Sequence, residues 1–191
     1  MSKDLMHSAE LRELVRDAYG CVVSDGDAVA TRLYTKHELA GVPRATRELA
    51  LGVGNHLRHA HIESGETILD LGCGAGIDSI IAAGRTGSSG RVLALDFLPE
   101  MLEKTEAAAA ESGLENIETV EGEMESIPLP DGSVDHIISN GVINLSPRKV
   151  RVLAECARVL RPGGRLSVSD LTINEEELPP EVLTHPAAWA G

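Results

Sequence analysis

Three glycines at alternate positions, Gly72, Gly74 and Gly76, constrain this chain more than any other feature. They follow a short apolar run, Thr67-Ile68-Leu69, that ends in Asp70, and a helix-like segment comes after them. A buried strand that turns sharply through glycines into a helix lets backbone N–H groups approach a ligand closely. The pattern is D-x-G-x-G-x-G. The dinucleotide fingerprint, G-x-G-x-x-G, sets its third glycine one residue later. That spacing argues against a nicotinamide dehydrogenase.

From Glu66 onward, strand signals alternate with helix signals. Strands are predicted at 66–70, 91–95, 117–120, 134–139 and 165–169. Helices are predicted at 76–84, 99–112 and 147–160, with Pro99 in a first turn and Gly113 just past a C-terminus. Pro162-Gly163-Gly164 reads as a turn into the last strand. Such alternation predicts an α/β fold, a Rossmann-like doubly wound sheet of five parallel strands covered on both faces. Before it, residues 8–18 have the spacing of one helix face, 20–43 read as irregular, and 44–50 as a short helix. The expected organisation is an N-terminal helical cap on the substrate side, 1–62, and a Rossmann-like domain, 63–191.

Composition narrows the function. The chain has 191 residues, enough for one domain with a sizeable core, and a net charge of −13. No basic stripe suggests nucleic acid as a partner. No apolar run reaches the length of a membrane span, and the N-terminus lacks a signal-peptide core, so a cytoplasmic location is expected. Glu175-Glu176-Glu177 reads as a solvated loop. Three widely spaced cysteines, Cys21, Cys73 and Cys156, fit reduced thiols. Aromatic residues make up only 2% of the chain, too few for a base-stacking platform.

In open α/β sheets, ligands bind at the carboxyl ends of the strands. Four features fall there. The glycine turn follows the first strand. Asp96 ends the second, where a carboxylate can accept from ribose hydroxyls. Gly122-Glu123-Met124-Glu125 follows the third, where an acid and an apolar residue suit an adenine ring. Ser139-Asn140 follows the fourth. Each alone is an ordinary turn, cap or surface residue; together, each after its own strand, they point to a nucleoside-type cofactor.

The D-x-G-x-G-x-G turn resembles the first motif of class I S-adenosylmethionine-dependent methyltransferases. The likeness narrows at Asp96-Phe97-Leu98-Pro99-Glu100-Met101-Leu102, at Ser139-Asn140-Gly141-Val142-Ile143-Asn144-Leu145-Ser146-Pro147 and at 158–166, all of which look like arsenite methyltransferases. So do 51–55 and the closing residues from Leu178 to Gly191. The resemblance implies S-adenosylmethionine as cofactor and a small-molecule methyl acceptor. It places Asp70, Gly72, Gly74 and Gly76 in the first motif, with Cys73 inside that turn. Asp96 and Phe97 fall at the ribose and adenine positions, and Met124 and Glu125 beside adenine, with Glu123 a candidate from the loop reading alone. Asn140 falls near the methionine amino group, and Leu51 over the cofactor.

The same resemblance fails at the substrate. Family members hold trivalent arsenic through cysteine thiolates. This chain has Val53 where G-C-G-N has one thiol and Gly141 where S-N-C-V-I-N-L has another, and it stops at Gly191 before a third. A soft metalloid wants thiolate ligands, so an acceptor other than arsenite is expected. Cys156 reads as core. Cys21 and His56 remain weak catalytic candidates, since His56 and His59 at i, i+3 could share a helix face at the cofactor mouth. No metal site is expected. The two strands that usually follow the fifth are expected to be missing here, either because the sequence is a fragment of a longer protein, because the chain homodimerises through the open edge, or because it is a shortened paralogue. The alternative function is a non-catalytic or partner-dependent S-adenosylmethionine-binding protein.

Overall fold

A computed structural model of the protein describes residues 26–172. Its five strands are β1 (Thr67–Leu71), β2 (Arg91–Asp96), β3 (Ile117–Glu121), β4 (Val134–Asn140) and β5 (Leu160–Ser169). All pair in parallel, in the order β3-β2-β1-β4-β5. The chain therefore builds outward from β1 to β3, then returns to lay β4 on the other side of β1. This reversal opens a crevice above the carboxyl ends of β1 and β4.

Alternation along the strands assigns the two faces. Ile68, Val92 and Ile138 meet α3 (Ile77–Thr86) through Ile77, Ile80 and Ile81. Leu69, Leu71, Leu93, Leu95 and Ile137 meet α5 (Lys149–Val159) through Val152, Cys156 and Val159. Burial on both sides explains why the central strands read as continuous apolar runs. The third crossover helix, α4 (Pro99–Glu111), packs beside α3 and against β2 and β3.

The described part of the N-terminal segment shares the first of these cores. Ala30, Tyr34, Leu39, Val42 and Leu57 pack with Ile68, Ile80 and Ile138. Its elements are α1 (Gly26–Leu33), a 3-10 turn at Glu38–Gly41, α2 (Arg44–Glu48) and a 3-10 turn at His56–Arg58. The expectation of irregular chain over 20–43 is corrected by α1. The Ser24-Asp25-Gly26-Asp27 turn signal leads directly into that helix, whose Ala30 is fully buried. Asp27 pairs with Arg47 of α2 at 3.3 Å. The predicted helix at 8–18 lies outside the described residues.

β5 also begins earlier than its sequence suggests. Leu160 pairs with Val134, and Arg165 with His136, so Arg161–Gly164 form a bulge within the strand rather than a turn before it. Gly163 takes φ +81° there, and Pro162 is tolerated because a bulge needs no ladder donor from it. Among the described residues, no strand covers the outer edge of β5.

Candidate active site

A cavity of about 480 Å³ occupies the crevice. Its floor is the glycine turn. Gly72, Gly74 and Gly76 all have positive φ, a region that L side chains avoid. A Cβ on Gly72 would lie 2.8 Å from the Val142 side chain, and one on Gly76 2.8 Å from Thr105 Oγ1. Packing thus forces these two. A Cβ on Gly74 would meet nothing within 4 Å, because that position opens into the cavity. The Gly72 and Cys73 amides donate to Leu95 O at 2.8 and 2.9 Å, and Thr105 Oγ1 donates to Gly74 O at 2.9 Å. Cys73 reaches the lining, yet it is 6% exposed and burial pushes its thiol well up. It serves as a small packing side chain.

Asp96 forms one wall. Its Oδ2 accepts from the Gly74 amide at 2.9 Å and its Oδ1 from the Leu98 amide at 3.0 Å. A carboxylate oxygen accepts more than one hydrogen bond, so Asp96 is oriented by the backbone and retains acceptor capacity. Burial nevertheless raises its pKa, outweighing the N–H donors. Phe97, Glu123, Met124 and Glu125 continue this side of the cavity. Ser146 Oγ donates to Glu125 Oε1 at 2.5 Å, which joins the loop after β3 to the loop after β4.

Asp70 and Gly76 stand behind the lining rather than in it. Asp70 is 2% exposed and accepts from Ser79 Oγ at 2.6 Å. Burial, and next the neighbouring Asp78 charge, push its pKa up to about 8. This acid braces the first turn of α3 from below.

The opposite wall belongs to Asn140 and the loop before the sheet. Asn140 Oδ1 accepts from the Val53 amide at 3.0 Å and the Gly54 amide at 3.3 Å. Its Nδ2 faces Gly54 O at 2.9 Å, Tyr34 Oη at 3.0 Å and Asp78 Oδ2 at 3.1 Å. Asn140 lines the cavity, but its amide clasps the loop. A Cβ on Gly52 would come within 2.5 Å of Nδ2, so only glycine permits this approach. Leu51 and Val53 are partly exposed at the rim. A Cβ on Gly141 would touch Val53 Cγ1 at 3.1 Å.

Two residues of this wall escape sequence reasoning. Asp78 lines the cavity in the first turn of α3, and Tyr34 donates to it at 2.8 Å across 44 residues of chain. An acid two residues after the third glycine was a readable signal for Asp78. Nothing local marks Tyr34. His56 is corrected in the other direction. It sits in a 3-10 turn, 4% exposed, does not line the cavity, and neither ring nitrogen has a hydrogen-bond partner among the described residues. Burial lowers its pKa. His59 is exposed, so the pair does not face a common ligand. Cys21 lies outside the described residues. Cys156 is 1% exposed in the core, with burial lifting its thiol to about 11. Among the described residues, no cluster of three or more His, Cys, Asp or Glu side chains is placed to hold a metal.

The sequence model of a methyltransferase domain family matches residues 62–190. The chain belongs to this family. Among curated relatives of this methyltransferase domain, an arsenite methyltransferase of Halobacterium salinarum is 40% identical over 174 residues, which cover 90% of this chain and 44% of the relative. An arsenite methyltransferase of Aquipseudomonas alcaligenes is 44% identical over 54% of this chain and 32% of its own length. The chain thus spans less than half the length of these relatives. Among solved structures, an arsenic (III) S-adenosylmethionine methyltransferase from Chlamydomonas reinhardtii superposes with a TM-score of 0.72 at 38% identity, covering 80% of this chain and 53% of that one. A SAM-dependent methyltransferase from Aquifex aeolicus gives 0.58 at 26% identity, covering 81% and 79%.

S-adenosylmethionine, the cofactor of the methyltransferase family, fits the residues present. The Gly74 position is open for a close backbone approach, a backbone-oriented carboxylate stands at the end of β2, and Met124 and Phe97 supply apolar walls. Asp78 and Asp96 place carboxyl oxygens in the lining, which suits a ligand carrying a sulfonium.

Proposed function

We propose that this methyltransferase domain binds S-adenosylmethionine in the cavity and passes its methyl group to a small molecule that enters over Leu51, Val53 and Gly141. In this reading the Gly72–Gly74 turn holds the methionine end and Asp96 accepts from the ribose hydroxyls. Phe97, Glu123, Met124 and Glu125 surround the adenine, and Leu51 covers the ligand. The bound cofactor supplies a methyl group on a positively charged sulfur, open to in-line displacement. The residues contribute positioning and exclusion of water. A general base is needed only for an acceptor that arrives protonated, and His56, buried and outside the lining, is not presented to one.

The acceptor is a small molecule other than arsenite. The observation that carries this is the closeness of Val53 and Gly141, where a Cβ on the glycine would lie 3.1 Å from Val53 Cγ1. The resemblance puts two family thiols at these positions, and here they are a branched apolar side chain and a bare backbone. Neither offers a soft ligand. Gly141 also takes φ +72°, which resists a side chain. Incubation of the chain with methyl-labelled S-adenosylmethionine, arsenite and glutathione is expected to give no methylated arsenic, while a panel of small thiols, amines and phenols yields a labelled product. Methylated arsenic in the first tube overturns this choice of acceptor.

A second reading, a cofactor-binding subunit that needs a partner, is favoured by the apolar border of β5. Leu166, Val168 and Leu171 are each more than a third exposed. Pairing of two copies along that edge would cover them. The same reading of the chain keeps it in the cytoplasm; no described helix is long and apolar enough to cross a membrane.

A further inference from the structure

The loop that leads from α2 toward the sheet presents a row of apolar side chains at the cavity mouth. Burial alternates along it. Ala50 is 4% exposed and Gly52 presses on the Asn140 amide, while Leu49, Leu51 and Val53 are 40, 38 and 36% exposed. Leu49 and Leu51 line the cavity. Val53 lies against Gly141, and from there Val142 and Leu145 continue the lining. Val142 reaches the glycine turn, where a Cβ on Gly72 would lie 2.8 Å from its side chain. The apolar row therefore runs from the surface down to the turn proposed to hold the methionine end of the cofactor.

None of these residues has an ionisable or hydrogen-bonding side chain. The polar side chain set among them, Asn140, is engaged by the loop: its Oδ1 accepts from the Val53 and Gly54 amides and its Nδ2 faces Gly54 O. A charged group entering here would shed water with no counter-charge beside it, which is costly. The formal net charge of −13 opposes anions at longer range as well. An apolar body gains with each methylene it buries, and apolar side chains left exposed around a cavity mark such a contact. The row also offers no base. A thiol is a strong nucleophile even when a small fraction of it is ionised at neutral pH. A hydroxyl needs a base to react, and an amine arrives as a cation.

We propose that the methyl acceptor is an uncharged apolar thiol, its body lying on Leu49, Leu51 and Val53 and its sulfur pointing down toward the Gly72 turn. The inference deepens the methyl-transfer reading of the cavity and rests on it. In the step, the S–H proton passes to water and the thiolate sulfur forms a bond to the methyl carbon. The bond from that carbon to the sulfonium breaks, and its electron pair stays on the cofactor sulfur. The products are a methyl thioether and S-adenosylhomocysteine.

The test follows label from methyl-labelled S-adenosylmethionine into ethanethiol, butanethiol and hexanethiol, which share one thiol acidity and differ in apolar length. Mercaptoacetate and cysteamine are the charged counterparts. With the 191-residue chain, kcat/KM is expected to rise about threefold per methylene as far as butanethiol. Both charged thiols are expected to fall about tenfold or more below ethanethiol. Leu49→Gln and Val53→Asn are expected to flatten the dependence on length and to leave calorimetric affinity for S-adenosylhomocysteine within about twofold. A rate that ignores length, a preference for a charged thiol, or an unchanged trend in both variants overturns the inference, as does a loss of S-adenosylhomocysteine affinity in both. Label transfer to amines or phenols with none to thiols also overturns it and leaves the methyl-transfer reading standing. If S-adenosylhomocysteine does not bind, or no acceptor is labelled, that reading falls and this inference with it.

Discussion

The two walls of the cavity are built differently. On the β2 side, the backbone holds the central groups: Asp96 is held by the Gly74 and Leu98 amides, and the glycine turn hangs from Leu95 O. On the β4 side, a loop is held by one amide, Asn140, and its rim is apolar, with Leu51 and Val53 partly exposed. The first wall carries the glycine turn and strand-end acid on which the proposed cofactor reading rests. The second carries Val53 and Gly141, on which the proposed choice of acceptor rests. A rigid, backbone-defined wall suits a constant ligand, and a side-chain-defined rim can change its acceptor without disturbing the other half.

The largest expected effect lies on the rigid wall. Asp96→Ala removes the carboxyl group proposed to hold the ribose and is expected to weaken S-adenosylmethionine by about 1.5–3 kcal/mol, read by calorimetry. Equal affinity in the variant would erase the distinction between the walls. The change must be read beside a melting curve, because the Gly74 and Leu98 amides lose their acceptor too.

A middle-sized effect belongs to Asp70, beneath the turn. Its pKa is raised by burial and by Asp78, so the native state binds its proton more tightly than the unfolded chain does. Stability should therefore fall as pH rises from the ordinary carboxylate range, about 4, toward about 8, and level off above. Asp70→Asn is expected to flatten that decline in denaturant titrations across the same window. A decline of unchanged slope would place the titration elsewhere.

The smallest effect concerns His56, which supports the loop side without touching the cavity. His56→Leu replaces two unpartnered buried nitrogens by methyl groups. Stability should rise by about 1 kcal/mol or less, with cofactor affinity unchanged. A loss of methyl transfer with stability intact would restore His56 as a base.

The two walls also differ in how far the sequence discloses them. The sheet, its order of elements and the rigid wall were legible, because glycine spacing and strand-end acids are local patterns. Asp96, Phe97, Met124 and Asn140 all line the cavity as expected. What local pattern could not supply was the wall made by distant pairs. Tyr34 meets Asp78 only after α1 packs on the sheet, and α1 itself was hidden behind a turn signal. Gly52 was visible as a loop residue, but its need for glycine comes from Asn140, 88 residues on. His56 misled because i, i+3 spacing says nothing of burial. The bulge in β5 was missed because Pro-Gly-Gly reads as a stop, whereas pairing with β4 resumes beyond it.

The most direct test is a crystal structure of the chain grown with S-adenosylhomocysteine. The account predicts ligand density in the crevice, with the ribose on Asp96, the adenine beside Phe97 and Met124, and the methionine end on the Gly72–Gly74 turn. Density elsewhere on the molecule, or a ligand turned with its adenine toward Asp78, would contradict it.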